Sequence, residues 1–63
     1  MMHTVTDSMG NDHYLTDYAV VALQNAKDAR SAEAAFEKYA SDVPRSCRAS
    51  VWHAVDSVVL SST

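Results

Sequence analysis

The presence of one cysteine, Cys47, in a chain of 63 residues is the feature that most restricts how this sequence can fold. A disulfide within the chain is excluded, and a core this small supplies only about 3 to 5 kcal/mol of stability. The chain must therefore bury amphipathic elements in one small core, which leaves room for one domain. A lone cysteine is also typical of proteins that work in a reducing compartment.

The first residues contain neither the basic nor the apolar stretch of a secretion signal, and no apolar run approaches the roughly 18 residues that cross a membrane. We therefore expect a cytoplasmic protein with no membrane partner. The net charge is −3, and residues 1–26 contain three aspartates but no Lys or Arg. Because nucleic acids bind to clustered Lys and Arg, we expect no direct contact with nucleic acid.

The spacing of apolar residues, at i, i+3, i+4, i+7 and i+8, predicts three helices. Their predicted bounds are residues 12–28, 31–41 and 44–60. Asp12 and Ser31 are the predicted N-caps of the first two helices. Pro44 suits the first turn of the third, where its missing N–H costs nothing.

Residues 1–11 show no sustained period and contain the chain's only glycine, Gly10, which predicts a flexible N-terminal arm. The predicted fold class is all-α: a compact three-helix domain, residues 12–63, preceded by this arm. An alternative is a short strand in the arm, because residues 3–7 alternate in polarity. In that case the strand would pair with the segment Ser57–Ser61, which is rich in β-branched residues.

The predicted core consists of residues on the inward stripe of each predicted helix. They are Leu15, Tyr18, Ala22, Leu23, Ala26, Ala35, Phe36, Tyr39, Val43, Cys47, Val51, Val55 and Val58. In the first helix, Tyr14, Val20 and Val21 lie outside this stripe, so the helix carries more apolar surface than one packing face needs. We expect a partner to cover the surplus.

Few residues have the spacing that a metal site or a catalytic site requires. His13 and Asp17 stand four residues apart on one predicted helical face, but two ligands do not complete a tetrahedral metal site. Cys47 lies on an apolar stripe, which favours a buried small hydrophobe over a reactive thiol or an intermolecular disulfide. With no Gly-rich loop to hold phosphates, we expect no enzyme, no cofactor and no metal.

Two kinds of residue predict a protein interface. Trp52, with Arg48 one turn before it, is typical of contact patches, although a Trp that covers the core beneath an Arg stem would have the same spacing. Four aspartates between Asp7 and Asp28 could present carboxylates to a basic partner, or simply form a solvated acidic face. The predicted partner-binding residues are Asp12, Tyr14, Asp17, Val21, Asp28, Arg48 and Trp52.

Three segments, Thr16–Tyr18, Ser31–Lys38 and Ala49–Asp56, resemble the small enterobacterial Hha modulators over about residues 15 to 60. The resemblance implies a helical cytoplasmic protein that binds a helical partner, as Hha proteins bind the nucleoid protein H-NS. The family's Asp-His-Arg cluster falls at Asp56–Val58, where this chain has neither His nor Arg. The resemblance therefore implies a partner protein but transfers no binding site.

From these features we expect a small, acidic, non-enzymatic protein that binds, and inhibits or modulates, a nucleic-acid-binding protein complex. This expectation is an analogy with phage and mobile-element inhibitors, such as anti-CRISPR proteins, and with Hha-like modulators. The alternative is a structural homo-oligomeric subunit, in which the surplus apolar surface closes against a second copy.

Overall fold

The computed structural model describes residues 1–60 and has an α+β fold: a two-stranded antiparallel sheet followed by three helices. The prediction of an all-α bundle is wrong. The elements are β1 (Met2–Thr6), β2 (Asp12–Thr16), α1 (Asp17–Gln24), α2 (Ala29–Tyr39) and α3 (Arg45–Ala54), followed by a 3-10 turn (Val55–Ser57). The last three residues of the predicted domain, 61–63, lie outside the described part of the chain.

The segment predicted to be a flexible arm forms β1 and the turn of a β-hairpin. β1 pairs with β2 so that Thr4 lies opposite Tyr14 and Val5 lies opposite His13. The alternative of a strand in this segment is thus confirmed, but its partner is β2 and not the C-terminal segment. One face of the hairpin is buried, because Val5 and Leu15 are 2% and 1% exposed.

Helix α1 begins at Asp17, five residues later than predicted, because Thr16 is its N-cap. The Thr16 hydroxyl accepts a hydrogen bond from the backbone N–H of Ala19 at 3.1 Å. The shorter helix buries Ala19, Val20 and Leu23. Val20, which the predicted stripe left outside the core, is therefore fully buried.

Most of the predicted core is buried or packed against it, but both tyrosines are exceptions. Tyr18 is 75% exposed and Tyr39 is 40% exposed. The buried core also contains five residues that the prediction omitted: Val5, Ala19, Val20, Ala32 and Ala40. The prediction placed the tyrosines by helical spacing alone, and the later start of α1 leaves Tyr18 on the open side of the helix.

The other two helices also differ from their predicted bounds. Asp28, not Ser31, is the N-cap of α2, and its carboxylate accepts hydrogen bonds from the Ser31 N–H and hydroxyl at 2.8 and 2.9 Å. Helix α3 ends at Ala54 instead of residue 60. Among residues 1–60 the longest helix has 11 residues, too short to cross a bilayer.

The loop between α2 and α3 is held by the buried guanidinium of Arg48. Its Nε donates to the carbonyl oxygen of Val43 at 2.9 Å, and Nη2 donates to that of Ser41 at 3.2 Å. Nη1 forms ion pairs with Glu33 and with Glu37. Burial lowers the pKa of Arg48, but the hydrogen bonds from Glu37 and Glu33 outweigh it, so the pKa is raised overall. Arg48 therefore stays charged and joins α2 to α3.

Two aromatic substitutions distinguish the observed core from the predicted one. Phe36 is 1% exposed, so Phe36→Ala should lower the free energy of unfolding by about 3 to 5 kcal/mol, which is comparable to the whole stability of so small a domain. Tyr18→Ala should change it by about 0.5 kcal/mol or less, because Tyr18 is mostly exposed. Urea unfolding of both variants checks this, and equal losses would contradict the observed packing.

Candidate functional site

The carboxylate of Asp7 organises the hairpin turn. Its Oδ1 accepts hydrogen bonds from the backbone N–H groups of Met9 and Asn11 at 2.9 and 3.0 Å. The backbone N–H of Asp7 donates to the Asn11 carbonyl at 2.9 Å, and Gly10 has a φ of 87°, a left-handed conformation that favours glycine. The turn is thus closed by both the main chain and the side chain of Asp7.

Asp7 also brings together a cluster of three different donor groups. Its second oxygen, Oδ2, lies 2.7 Å from Nε2 of His13 in β2. The Cys47 thiol, in the first turn of α3, lies against the same carboxylate. The potential ligand atoms of Asp7, His13 and Cys47 all lie within 4.8 Å of one another. We refer to these three residues as the Asp7 cluster.

The Asp7 cluster is buried at its centre and reachable at its edge. The Asp7 side chain has no exposed surface, the His13 side chain is 13% exposed, and Cys47 is half-buried. The hydrogen bond from His13 and those from the turn's backbone N–H groups together hold the pKa of Asp7 far below its usual range, although burial opposes them. Asp7 is therefore a carboxylate at any physiological pH.

The arrangement of contacts does not favour a cysteine nucleophile. A thiol is activated when a base takes its proton, and the imidazole is the usual base. Within residues 1–60, the hydrogen bond of His13 goes to Asp7 and none joins His13 to Cys47. The carboxylate lies between the two groups, an order that suits cation binding better than nucleophilic catalysis.

The pairing of His13 with Asp17, which the predicted first helix required, does not form. His13 lies in β2, whereas Asp17 is the first residue of α1, where its carboxylate is hydrogen-bonded to His3 of β1. The alternation of the strand places His13 on the inward face of the hairpin with Leu15.

A second feature is an exposed apolar surface where α1 meets α2. It consists of Met1, Tyr18, Val21 and Tyr39, which are 90%, 75%, 43% and 40% exposed, and we call it the tyrosine patch. The rings of Tyr18 and Tyr39 stack with their centroids 6.5 Å apart. With Asp17 and Ala22, these residues line an open depression of about 700 Å³.

Of the seven predicted partner-binding residues, Asp17 and Val21 lie at the tyrosine patch. Tyr14 is 64% exposed on the outer face of the hairpin, and Asp12 is exposed at the start of β2, where its carboxylate accepts a hydrogen bond from the Thr6 hydroxyl at 2.8 Å. These four residues lie on the part of the molecule formed by the hairpin and α1.

The remaining three predicted residues have structural contacts. Asp28 caps α2, and the buried Arg48 forms ion pairs with Glu33 and Glu37. The indole Nε1 of Trp52 donates to the carbonyl oxygen of Leu23 at 3.0 Å, which ties α3 to the end of α1. The alternative that Trp52 covers the core thus agrees with its contacts better than a free patch with Arg48.

The prediction missed Tyr18 and Tyr39 as surface residues and Asp7 as a buried one. For Asp7 a signal was present in the sequence. Asp at the first position of a turn and Gly at the fourth, as in Asp7 and Gly10, are common, and segments of alternating polarity flank this turn. For Tyr18 no signal was present, because its exposure depends on where α1 begins. Tyr39 is the last residue of α2, and helical spacing alone placed it in the predicted core.

Comparison with known proteins finds no matching family model, no matching curated protein and no matching solved structure. The resemblance to the Hha modulators therefore stays a prediction.

The lowered pKa of Asp7 predicts a specific loss of stability in acid. The unfolded chain has an ordinary Asp pKa of about 4, so below that pH the unfolded state binds a proton that the folded state does not. The contribution of Asp7 is present above about pH 4 and is lost as the pH falls towards its folded-state pKa. Asp7→Asn, which retains an amide oxygen for the turn, should flatten this acid dependence.

The measurement is urea unfolding at a series of acidic pH values in metal-free buffer. Asp12→Asn, which removes an exposed carboxylate from the same hairpin, is the matched control and should retain most of the wild-type slope. An Asp7→Asn variant with the full wild-type slope would show that Asp7 does not depend on these hydrogen bonds.

Proposed function

We propose that this protein is a non-enzymatic binding module that docks through its tyrosine patch onto a basic surface of a nucleic-acid-binding protein complex and inhibits or modulates that complex. The observation that carries the proposal is the pair of exposed, stacked tyrosines beside Val21. Tyrosines are enriched in protein interfaces, because they bury a large rigid surface and keep a polar tip.

The distribution of charge supports a basic partner. On the hairpin and α1, Asp12 and Asp17 are exposed and residues 1–26 contain no Lys or Arg. On α2 and α3, Arg45 and Arg48 form ion pairs with Glu33 and Glu37, so those charges largely neutralise one another. The hairpin and α1 as a whole therefore carry more negative than positive charge, since their one fixed cation is the N-terminal ammonium, which pairs with Asp17. Such an excess attracts a basic protein surface.

A partner that binds nucleic acid is the natural source of such a surface. Proteins that bind phosphates do so with clustered Lys and Arg, and carboxylates on a rigid fold can occupy the same positions. Two cations lie at the patch itself: the Lys38 ammonium is 5.3 Å from the centre of the Tyr39 ring, and the N-terminal ammonium of Met1 is 3.9 Å from the Asp17 carboxylate. We propose a cytoplasmic setting, in keeping with the lone cysteine and the bacterial character of the resemblance.

The experiment is a pull-down from bacterial lysate with the tagged protein, with and without nuclease, read by mass spectrometry. We expect the tagged protein to capture a nucleic-acid-binding protein in stoichiometric amount, and this capture should persist after nuclease treatment. The Tyr18→Ala variant should fail to capture that protein. Capture should also weaken as the salt concentration rises, since salt screens exposed charges.

Tyr14→Ala is the matched control, because it removes an exposed tyrosine from outside the patch and should leave capture intact. Equal capture by the wild type and Tyr18→Ala would contradict the proposal. Recovery of the tagged protein's own copies alone, with a concentration-dependent dimer in sedimentation, would favour the homo-oligomeric subunit instead.

A further inference from the structure

The Asp7 cluster joins one carboxylate, one imidazole and one thiol from two distant parts of the chain. Asp7 and His13 come from the hairpin, and Cys47 comes from the first turn of α3. We propose that Asp7, His13 and Cys47 bind a divalent transition-metal ion of the zinc type, with one coordination position left open. This inference is independent of the proposed docking, since none of the three residues belongs to the tyrosine patch.

The distances suit such an ion. Zinc bonds to oxygen, nitrogen and sulfur are about 2.0 to 2.3 Å long, which places neighbouring donors of a tetrahedral site about 3.5 Å apart. Nε2 of His13 and Oδ2 of Asp7 are 2.7 Å apart and must separate by about 1 Å to admit the ion. The wider separations in the cluster are at most 4.8 Å and must close by about 1 Å. Rotation of the His13 and Cys47 side chains is enough for a movement of that size.

The carboxylate of Asp7 is oriented for this role. Its Oδ1 is occupied by the backbone N–H groups of Met9 and Asn11, whereas Oδ2 faces His13. Hydrogen bonds of this kind fix the direction of a metal ligand before the metal arrives. Oδ2 is therefore the oxygen that would coordinate the ion, while Oδ1 keeps the turn closed.

Binding replaces protons with the metal. The Cys47 thiol releases its proton to solvent and coordinates as the thiolate. Nε2 of His13 gives up to solvent the proton that it donates to Asp7, Nδ1 takes one up as the neutral ring changes tautomer, and Nε2 then coordinates the ion. The charge of the ion is then balanced by one carboxylate and one thiolate. Three protein ligands leave a fourth tetrahedral position, which water or a ligand from a partner protein completes.

The proposed ion would also stabilise the fold. It ties the hairpin turn to α3, in a chain whose one cysteine has no disulfide partner. Because the site exists only in the folded state, metal binding adds directly to folding stability.

The test is titration of the reduced protein with Co²⁺, which absorbs visible light when bound, followed by displacement with Zn²⁺. We expect saturation at one Co²⁺ per chain, with a thiolate-to-cobalt charge-transfer band and the strong visible absorption of a four-coordinate ion. Displacement of Co²⁺ by Zn²⁺ should abolish both absorption features. Binding of Zn²⁺ should raise the melting temperature of the metal-free protein by several degrees.

Cys47→Ser should remove the charge-transfer band and weaken metal affinity more than about 10-fold, and His13→Asn should weaken it similarly. His3→Gln is the matched control, because it removes a histidine that pairs with a different aspartate and should bind as the wild type does. Circular dichroism in metal-free buffer shows that each variant is folded. Absence of the charge-transfer band in the folded wild type, or equal loss of binding in His3→Gln, would overturn the proposal.

Discussion

The buried carboxylate of Asp7 is the interaction on which the fold of this chain depends most. One carboxylate oxygen accepts hydrogen bonds from two backbone N–H groups of the hairpin turn, and the other oxygen contacts His13. The Cys47 thiol lies against the same carboxylate. A buried charge is costly unless it is fully hydrogen-bonded, and here the turn, β2 and α3 all contribute to that environment. The same requirement places three metal-binding groups side by side.

A second buried charge, the guanidinium of Arg48, has the corresponding role between α2 and α3. It satisfies carbonyl oxygens of the α2–α3 loop and pairs with Glu33 and Glu37. The charged side chains that join α2 and α3 are therefore largely neutralised by one another. The exposed acids and tyrosines of the hairpin and α1 remain for contact with another protein, which is the basis of the proposed function.

Helical spacing predicted α2 well, and it predicted that α1 and α3 exist. It failed at the ends of these helices and in the hairpin. The stripe that begins at Leu15 fits a helix, so the pattern could not show that Leu15 lies in a strand and that Thr16, not Asp12, caps α1. That displacement moved Tyr18 from the predicted core to the surface and His13 from a helix to β2. The Asp7 cluster is a tertiary arrangement, since Cys47 is 40 residues from Asp7 in sequence, and no local spacing predicts it.

The measurement that tests this account most directly is a nuclear Overhauser spectrum of the reduced, isotope-labelled protein. The account predicts cross-strand contacts between His3 and Leu15 and between Val5 and His13, together with contacts from the His13 ring to the β protons of Cys47. Helical chemical shifts across residues 12–16, with no contact between His13 and Cys47, would contradict it. That result would restore the three-helix reading and remove the Asp7 cluster.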